Sequence, residues 1–120
     1  MKYFFDSYAI VEIIQSNPNY ATYAEEPVVT TKANLAEVYF FALRTGQSEA
    51  YRTALNRLRP EFLEADQSDW EKAADFRYAM RSKRVSLIDG LGYRLAQKHG
   101  LKFLTGDKEF EKLADVQFVK

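Results

Sequence analysis

Apolar positions in this chain come in short blocks that switch repeatedly between a strand-like and a helical period. Tyr3-Phe4-Phe5 is a compact apolar run ended by Asp6, which predicts a buried strand. From Ser7 the pattern turns helical, with Ala9, Ile10, Ile13 and Ile14 on one face. Ser16-Asn17-Pro18-Asn19 ends that helix with a turn, and a short helix over 20–24 follows. Pro27-Val28-Val29-Thr30 reads as a strand. Thr31 to Asn34 offers caps for a helix over 35–44 that closes at Gly46, and 47–59 is another helix, stopped by Pro60. Phe62-Leu63-Glu64 reads as a strand, and Asp66 or Ser68 caps a helix from Asp69 to about Met80. Ile88, Leu91 and Leu95 mark the apolar face of a helix over 86–99, with Gly100 as its stop. Leu101-Lys102-Phe103-Leu104 is a strand, Thr105-Gly106-Asp107 turns into a short helix, and 116–119 is a last strand.

Strands that alternate with helices predict an α/β fold, a three-layer α/β/α sandwich around a central parallel sheet of four or five short strands. In such sheets ligands gather at the carboxyl ends of the strands. The 120 residues, 47% of them hydrophobic and 15% aromatic, are expected to form one domain over 1–120, without help from a disulfide or metal. That composition excludes a disordered chain. No apolar run approaches the about 18 residues of a membrane span, so no membrane role is expected. Lys2 is followed by only three apolar residues, too few for a signal peptide. The absence of cysteine excludes disulfides, thiol catalysis and cysteine–zinc sites, and with the missing leader points to a cytoplasmic protein. The single histidine, His99, excludes multi-histidine metal sites and lies at a helix stop, where it has no expected catalytic role. Seventeen basic residues balance seventeen acidic ones, which disfavours a globally basic binder of nucleic acid but allows a local patch.

Most of the acids, Glu25, Glu26, Glu61, Glu71, Glu109 and Glu111 among them, lie in polar neighbourhoods and read as surface. Four do not. Asp6 ends the first strand, where it either caps the next helix or serves a site. Glu37 borders an apolar stripe, either as a first-turn glutamate or as a site residue. Asp89 shares a stripe with Val85, Gly92 and Ala96, where a carboxylate needs a cation, such as a metal or an arginine, beside it. Asp107 repeats the strand–acid–helix pattern of Asp6. Four carboxylates in one crevice would raise each other's pKa, and a hard divalent cation with oxygen ligands relieves them. Spacing and composition reach as far as an acidic metal pocket.

Phe5-Asp6-Ser7, Asn34-Leu35-Ala36-Glu37, Ser86-Leu87-Ile88-Asp89 and Thr105-Gly106-Asp107-Lys108-Glu109-Phe110 follow in that order along essentially the whole chain. Together they resemble the PIN domain and, more narrowly, the VapC-type toxin ribonucleases. The resemblance implies an endoribonuclease dependent on Mg2+ or Mn2+, with Asp6, Glu37, Asp89 and Asp107 as the catalytic, metal-holding quartet. Ser7 and Thr105 match the small hydroxyl positions that accompany the first and last acids and support the carboxylates or a bound water. The resemblance further implies a homodimer and a small antitoxin, VapB-like or of another family, whose tail enters the active-site groove. For the RNA backbone, Arg77, Arg81, Lys83 and Arg84 are the nearest basic candidates, and Arg52, Arg57 and Arg59 form a second group. After Asp89 many members carry small residues, whereas this chain has Gly90, Gly92, Tyr93 and Arg94. Tyr93 either stacks on a base or packs against the sheet. Glu109 or Glu111 occupies the place of a fifth acid seen in some members. Two other readings share the fold: a PIN-domain nuclease of RNA processing or decay, and a non-catalytic module that binds RNA or protein.

Overall fold

Phe4 and Phe5 are adjacent in sequence and face opposite cores, because side chains alternate across a strand. They lie in β1 (Tyr3–Phe5), the central strand of a five-stranded parallel sheet. The other strands are β2 (Val29–Thr30), β3 (Glu61–Phe62), β4 (Lys102–Thr105) and β5 (Val116–Phe118), in the order β3-β2-β1-β4-β5. This computed structural model describes residues 1–120. Helices α1 (Ser7–Ile14), α2 (Lys32–Arg44) and α3 (Ser48–Leu58) cover the Phe5 face, with Ile10, Ile13, Leu35, Val38 and Leu104 in that core. Helices α4 (Gln67–Ala79) and α5 (Leu87–Lys98) cover the Phe4 face, with Ala73, Leu91, Leu95 and Phe103. The α/β/α sandwich expected from the sequence is the one observed.

Several boundaries differ. The region expected as a short helix at 20–24 is two single 3-10 turns, Pro18–Tyr20 and Tyr23–Glu25. Pro27 and Val28 precede the second strand rather than belonging to it, and the third strand is Glu61–Phe62 rather than 62–64. Both are two-residue ladders set by register against a neighbour, a long-range condition that local propensity does not carry. Arg59 ends α3 in the left-handed conformation, φ 47°, one residue before Pro60.

The connection order creates the feature that matters for chemistry. From β1 the chain steps outward to β2 and β3, then returns to place β4 on the other side of β1. Strand order therefore reverses between β1 and β4, and a crevice opens at their carboxyl ends. Asp6 follows β1 at that point and Thr105 ends β4.

One acid outside those four is not ordinary surface. Asp69 is 1% exposed, in the first turn of α4. It accepts from the Asp66 N–H in a capping box and pairs with Arg94 at 3.3 Å and Lys98 at 3.1 Å on α5. Gly90 lets α5 come this close to α4, since a Cβ there would sit 2.8 Å from the Ala73 carbonyl oxygen. Burial alone would raise the Asp69 pKa, but the Asp66 N–H, Lys98 and Arg94 outweigh it and hold it at about 2. A lowered carboxyl contributes stability that is full above its unfolded value of 3.8 and is lost as pH falls through about 2. Asp69→Ala should cost about 1–3 kcal/mol at neutral pH. In urea denaturation, that deficit should shrink between pH 3.8 and about 2. A deficit that stays constant down to pH 2 would refute the ion-pair account.

Candidate active site

Asp6 stands at the N-cap position of α1 with the extended backbone of a cap, yet its side chain makes no capping bond. It turns into the crevice instead and is 2% exposed. Its Oδ2 accepts from the Thr105 hydroxyl at 2.8 Å, and its Oδ1 has no hydrogen-bond partner. A buried carboxylate oxygen without a donor is costly, and the carboxyl responds by holding its proton. Burial first, then the negative charge of Asp89 and, to a lesser degree, of Glu37, pushes its pKa up to about 8 against the lowering by Thr105 and the Ser7 N–H.

Asp89 is held differently from the sequence reading. That reading placed it inside a stripe with Val85, but α5 begins only at Leu87. Asp89 is the third residue of the helix, in a reciprocal capping box with Ser86: its Oδ2 accepts from the Ser86 N–H at 2.9 Å, and its N–H donates to the Ser86 Oγ at 3.0 Å. No cationic side chain pairs with it, contrary to the ion-pair alternative. The box needs one carboxylate oxygen and leaves the other free. Burial raises the Asp89 pKa, and Glu37 and Asp107 raise it further.

Glu37 is half-buried, beyond the first turn of α2, which contains no acid, so the first-turn reading falls. Its place is set by a polar knot beneath it. Asn34, fully buried, accepts from the Thr31 hydroxyl at 2.6 Å and donates to Ser7 Oγ at 2.9 Å. This ties the start of α2 to the start of α1, and so registers Glu37 against Asp6. Thr31 and Asn34 carry only cap and motif signals in the sequence, because what Asn34 does depends on a contact 27 residues away. Asp107 caps the short turn Lys108–Phe110 through the Glu109 N–H at 3.0 Å, as its pattern suggested. Its own N–H donates to Thr105 Oγ1 at 3.1 Å, so one hydroxyl links the acids at the ends of the two strands.

The crevice continues into a groove of about 800 Å³ bordered by Glu37, Ser86 and Asp89. Arg77, Arg81, Lys83 and Arg84, from the end of α4 and the link to α5, form its other wall. Tyr93 takes no part in it. It is buried against Phe103 and Phe110, with its hydroxyl donating to the Ala114 carbonyl at 2.7 Å, so packing rather than base stacking is its role.

Comparison with known families finds that the PIN domain profile matches residues 3–116. The chain belongs to the PIN domain family. Solved structures share this PIN fold over nearly their full length. A Mycobacterium tuberculosis toxin, VapC20, described as cleaving the sarcin–ricin loop, is similar at TM-score 0.79 and 15% identity, over 99% of this chain and 100% of the other. A toxin–antitoxin complex from Klebsiella pneumoniae matches at TM-score 0.73 and 21% identity, over 98% and 96% of the two chains. VapBC2 from Rickettsia felis, bound to a DNA fragment from its promoter, matches at 0.72 and 14%, over the whole of both chains. No curated protein matches this PIN domain.

The donor chemistry of the PIN crevice suits a hard cation. The site offers only oxygen, one buried carboxylate oxygen lacks any donor, and neighbouring carboxylates penalise each other's charge. No three acids converge tightly enough to ligate one ion by themselves. Mg2+ commonly keeps several waters and takes one or two direct carboxylates, so a looser acid set fits it.

Proposed function

We propose that this PIN domain is a divalent-metal-dependent endoribonuclease, the toxin of a type II toxin–antitoxin pair of the VapC kind. The observation that carries the reading is the buried, donor-less oxygen of Asp6 at the strand-order reversal, with the carboxyls of Asp89 and Glu37 beside it. Asp6, Glu37, Asp89 and Asp107 would hold Mg2+ or Mn2+, which when bound would acidify a water and offset charge on a phosphodiester. Thr105 orients Asp6, and Ser86 orients Asp89, leaving one oxygen of each carboxylate for the site. Ser7 acts through Asn34 to fix the spacing between Asp6 and Glu37. Arg77, Arg81, Lys83 and Arg84 supply the local positive wall that a net-neutral chain needs to engage a phosphate backbone.

The fold shared with toxin–antitoxin complexes supports a small VapB-like protein as partner. A homodimer in the cytoplasm is the working form we propose with it. Phe40 and Leu43 on α2 are 63% and 54% exposed, an apolar face suited to such a protein contact.

Purified protein incubated with total RNA should cut it in Mn2+ and not in EDTA. Cutting that persists in EDTA would refute metal dependence, and no cutting in either would refute the nuclease reading.

A further inference from the structure

Eight tyrosines punctuate this chain, and one stands apart from the rest. Tyr78, in the last turn of α4, is 68% exposed and lines the groove that Glu37 and Asp89 border. Its ring packs against no aromatic ring of the protein, unlike those of Tyr3, Tyr20, Tyr23, Tyr39, Tyr51 and Tyr93. Its ring is instead covered on one side by the guanidinium of Arg81, 4.3 Å from the centroid. Arg81 is itself fixed, donating from Nη1 to the Tyr78 carbonyl at 2.9 Å. The ring is thus braced without being buried. A braced ring loses little freedom when a flat partner settles on its open side, and a stacked guanidinium adds a cation that stays weakly hydrated.

We infer that Tyr78, braced by Arg81, is a stacking platform for one unpaired RNA base in this groove. The inference rests on the ribonuclease reading and deepens it. Bases of a duplex are stacked on each other and present only their edges, so no π-face is free for the ring. Arg77, Lys83 and Arg84 in the same groove would track the backbone on either side, the arrangement that single-strand binders combine with aromatic platforms. The bland alternative is that Arg81 merely closes the carbonyl end of α4 and Tyr78 comes along with it.

The test is binding in EDTA, by anisotropy of a labelled mixed-sequence oligoribonucleotide of about 12 nucleotides and of its duplex. Wild type should prefer the single strand. Tyr78→Ala should weaken single-strand binding by about 5- to 150-fold, the range of one base stacked on one aromatic ring. Tyr78→Phe should keep the affinity within about twofold, and the slope of binding against salt should be the same for all three proteins. Duplex binding should be unaltered, and the melting temperature should move by no more than about 2 °C, because the ring is outside the core. Equal affinity of Tyr78→Ala and wild type, an equal loss on duplex, or failure of Tyr78→Phe to retain binding would each overturn the platform, and the first would return Tyr78 to a protein-contact or helix-end role. Cleavage by wild type in Mn2+ separates the two ideas. Selective loss of binding in Tyr78→Ala without any metal-dependent cleavage would support the platform and sink the nuclease.

Discussion

Asp6→Asn is expected to lower metal-dependent RNA cleavage by about 10³-fold or more while making the metal-free protein more stable. The first effect follows from removing the carboxylate at the centre of the site, where losing about 4 kcal/mol of transition-state stabilisation is roughly 10³ in rate. The second follows from its environment. Asp6 is buried, lacks a donor on one oxygen and faces two other acids, so its ionised form is disfavoured in the folded state. Its folded pKa of about 8 lies above the unfolded 3.8, so between those values the folded state binds the extra proton. Stability of the metal-free protein should therefore fall as pH rises from about 4 to about 8. Asparagine carries no charge and keeps an acceptor for the Thr105 hydroxyl, so most of that slope should vanish. At pH 8 the variant should melt higher by at least roughly 3–5 °C, equivalent to about 1 kcal/mol. Adding Mg2+ to wild type should recover part of the same deficit by mass action on the folded state, and should do less for the variant. Thermal melts of both proteins across pH, with EDTA and with Mg2+, test this. A variant that melts lower than wild type at pH 8 in EDTA would refute the strained-carboxylate account, whatever its activity.

Gly106→Ala is expected to be the most damaging single-methyl change in the site. Gly106 is buried between Thr105 and Asp107, and a Cβ there would run into the Tyr8 ring on α1 and the Val119 carbonyl oxygen. The Val119 backbone does not give way freely. The Val119 N–H donates to the Thr105 carbonyl at 2.9 Å, and its carbonyl accepts from the Tyr20 hydroxyl at 2.6 Å. Overpacking against pinned backbone costs about 2–4 kcal/mol, a fall of roughly 10 °C in melting temperature. What relaxation there is should displace Thr105 and Asp107, so cleavage at a temperature where the variant is still folded should fall as well. Scanning calorimetry together with that assay tests both halves. A variant that melts within about 2 °C of wild type would show that the close approach is dispensable.

The layered fold was legible because its signals are local. Period changes at Asp6, Gly46, Pro60 and Gly100 mark strand and helix ends from neighbours in sequence. What escaped depends on partners far along the chain. The Asp69 carboxylate looks like a first-turn surface acid until α5 brings Arg94 and Lys98 onto it, 25 and 29 residues away. Glu61 lies in a strand only because Val29 is there to pair with it. Among the candidate acids, Ser86-Leu87-Ile88-Asp89 carries a capping-box spacing that would have placed Asp89 in the first helical turn from sequence alone. Asp6 is the reverse case, since its sequence position suits a cap and only the neighbouring strand shows that its side chain goes elsewhere. Tyr78 had no sequence signal to separate it from core tyrosines such as Tyr93. Exposure is a property of the assembled molecule.

The hydrogen bond from Thr105 to Asp6 joins residues 99 positions apart. During translation the acid leaves the ribosome long before the hydroxyl that orients it exists, and β4 cannot dock beside β1 until then. A partly made chain can collapse around Phe5, Ile10 and Leu35, yet it cannot hold Asp6 in its working orientation. On the proposed ribonuclease reading, whose substrate is the material of which the translating ribosome is largely made, the orientation of Asp6 by Thr105 is deferred until the chain has been extended past Thr105.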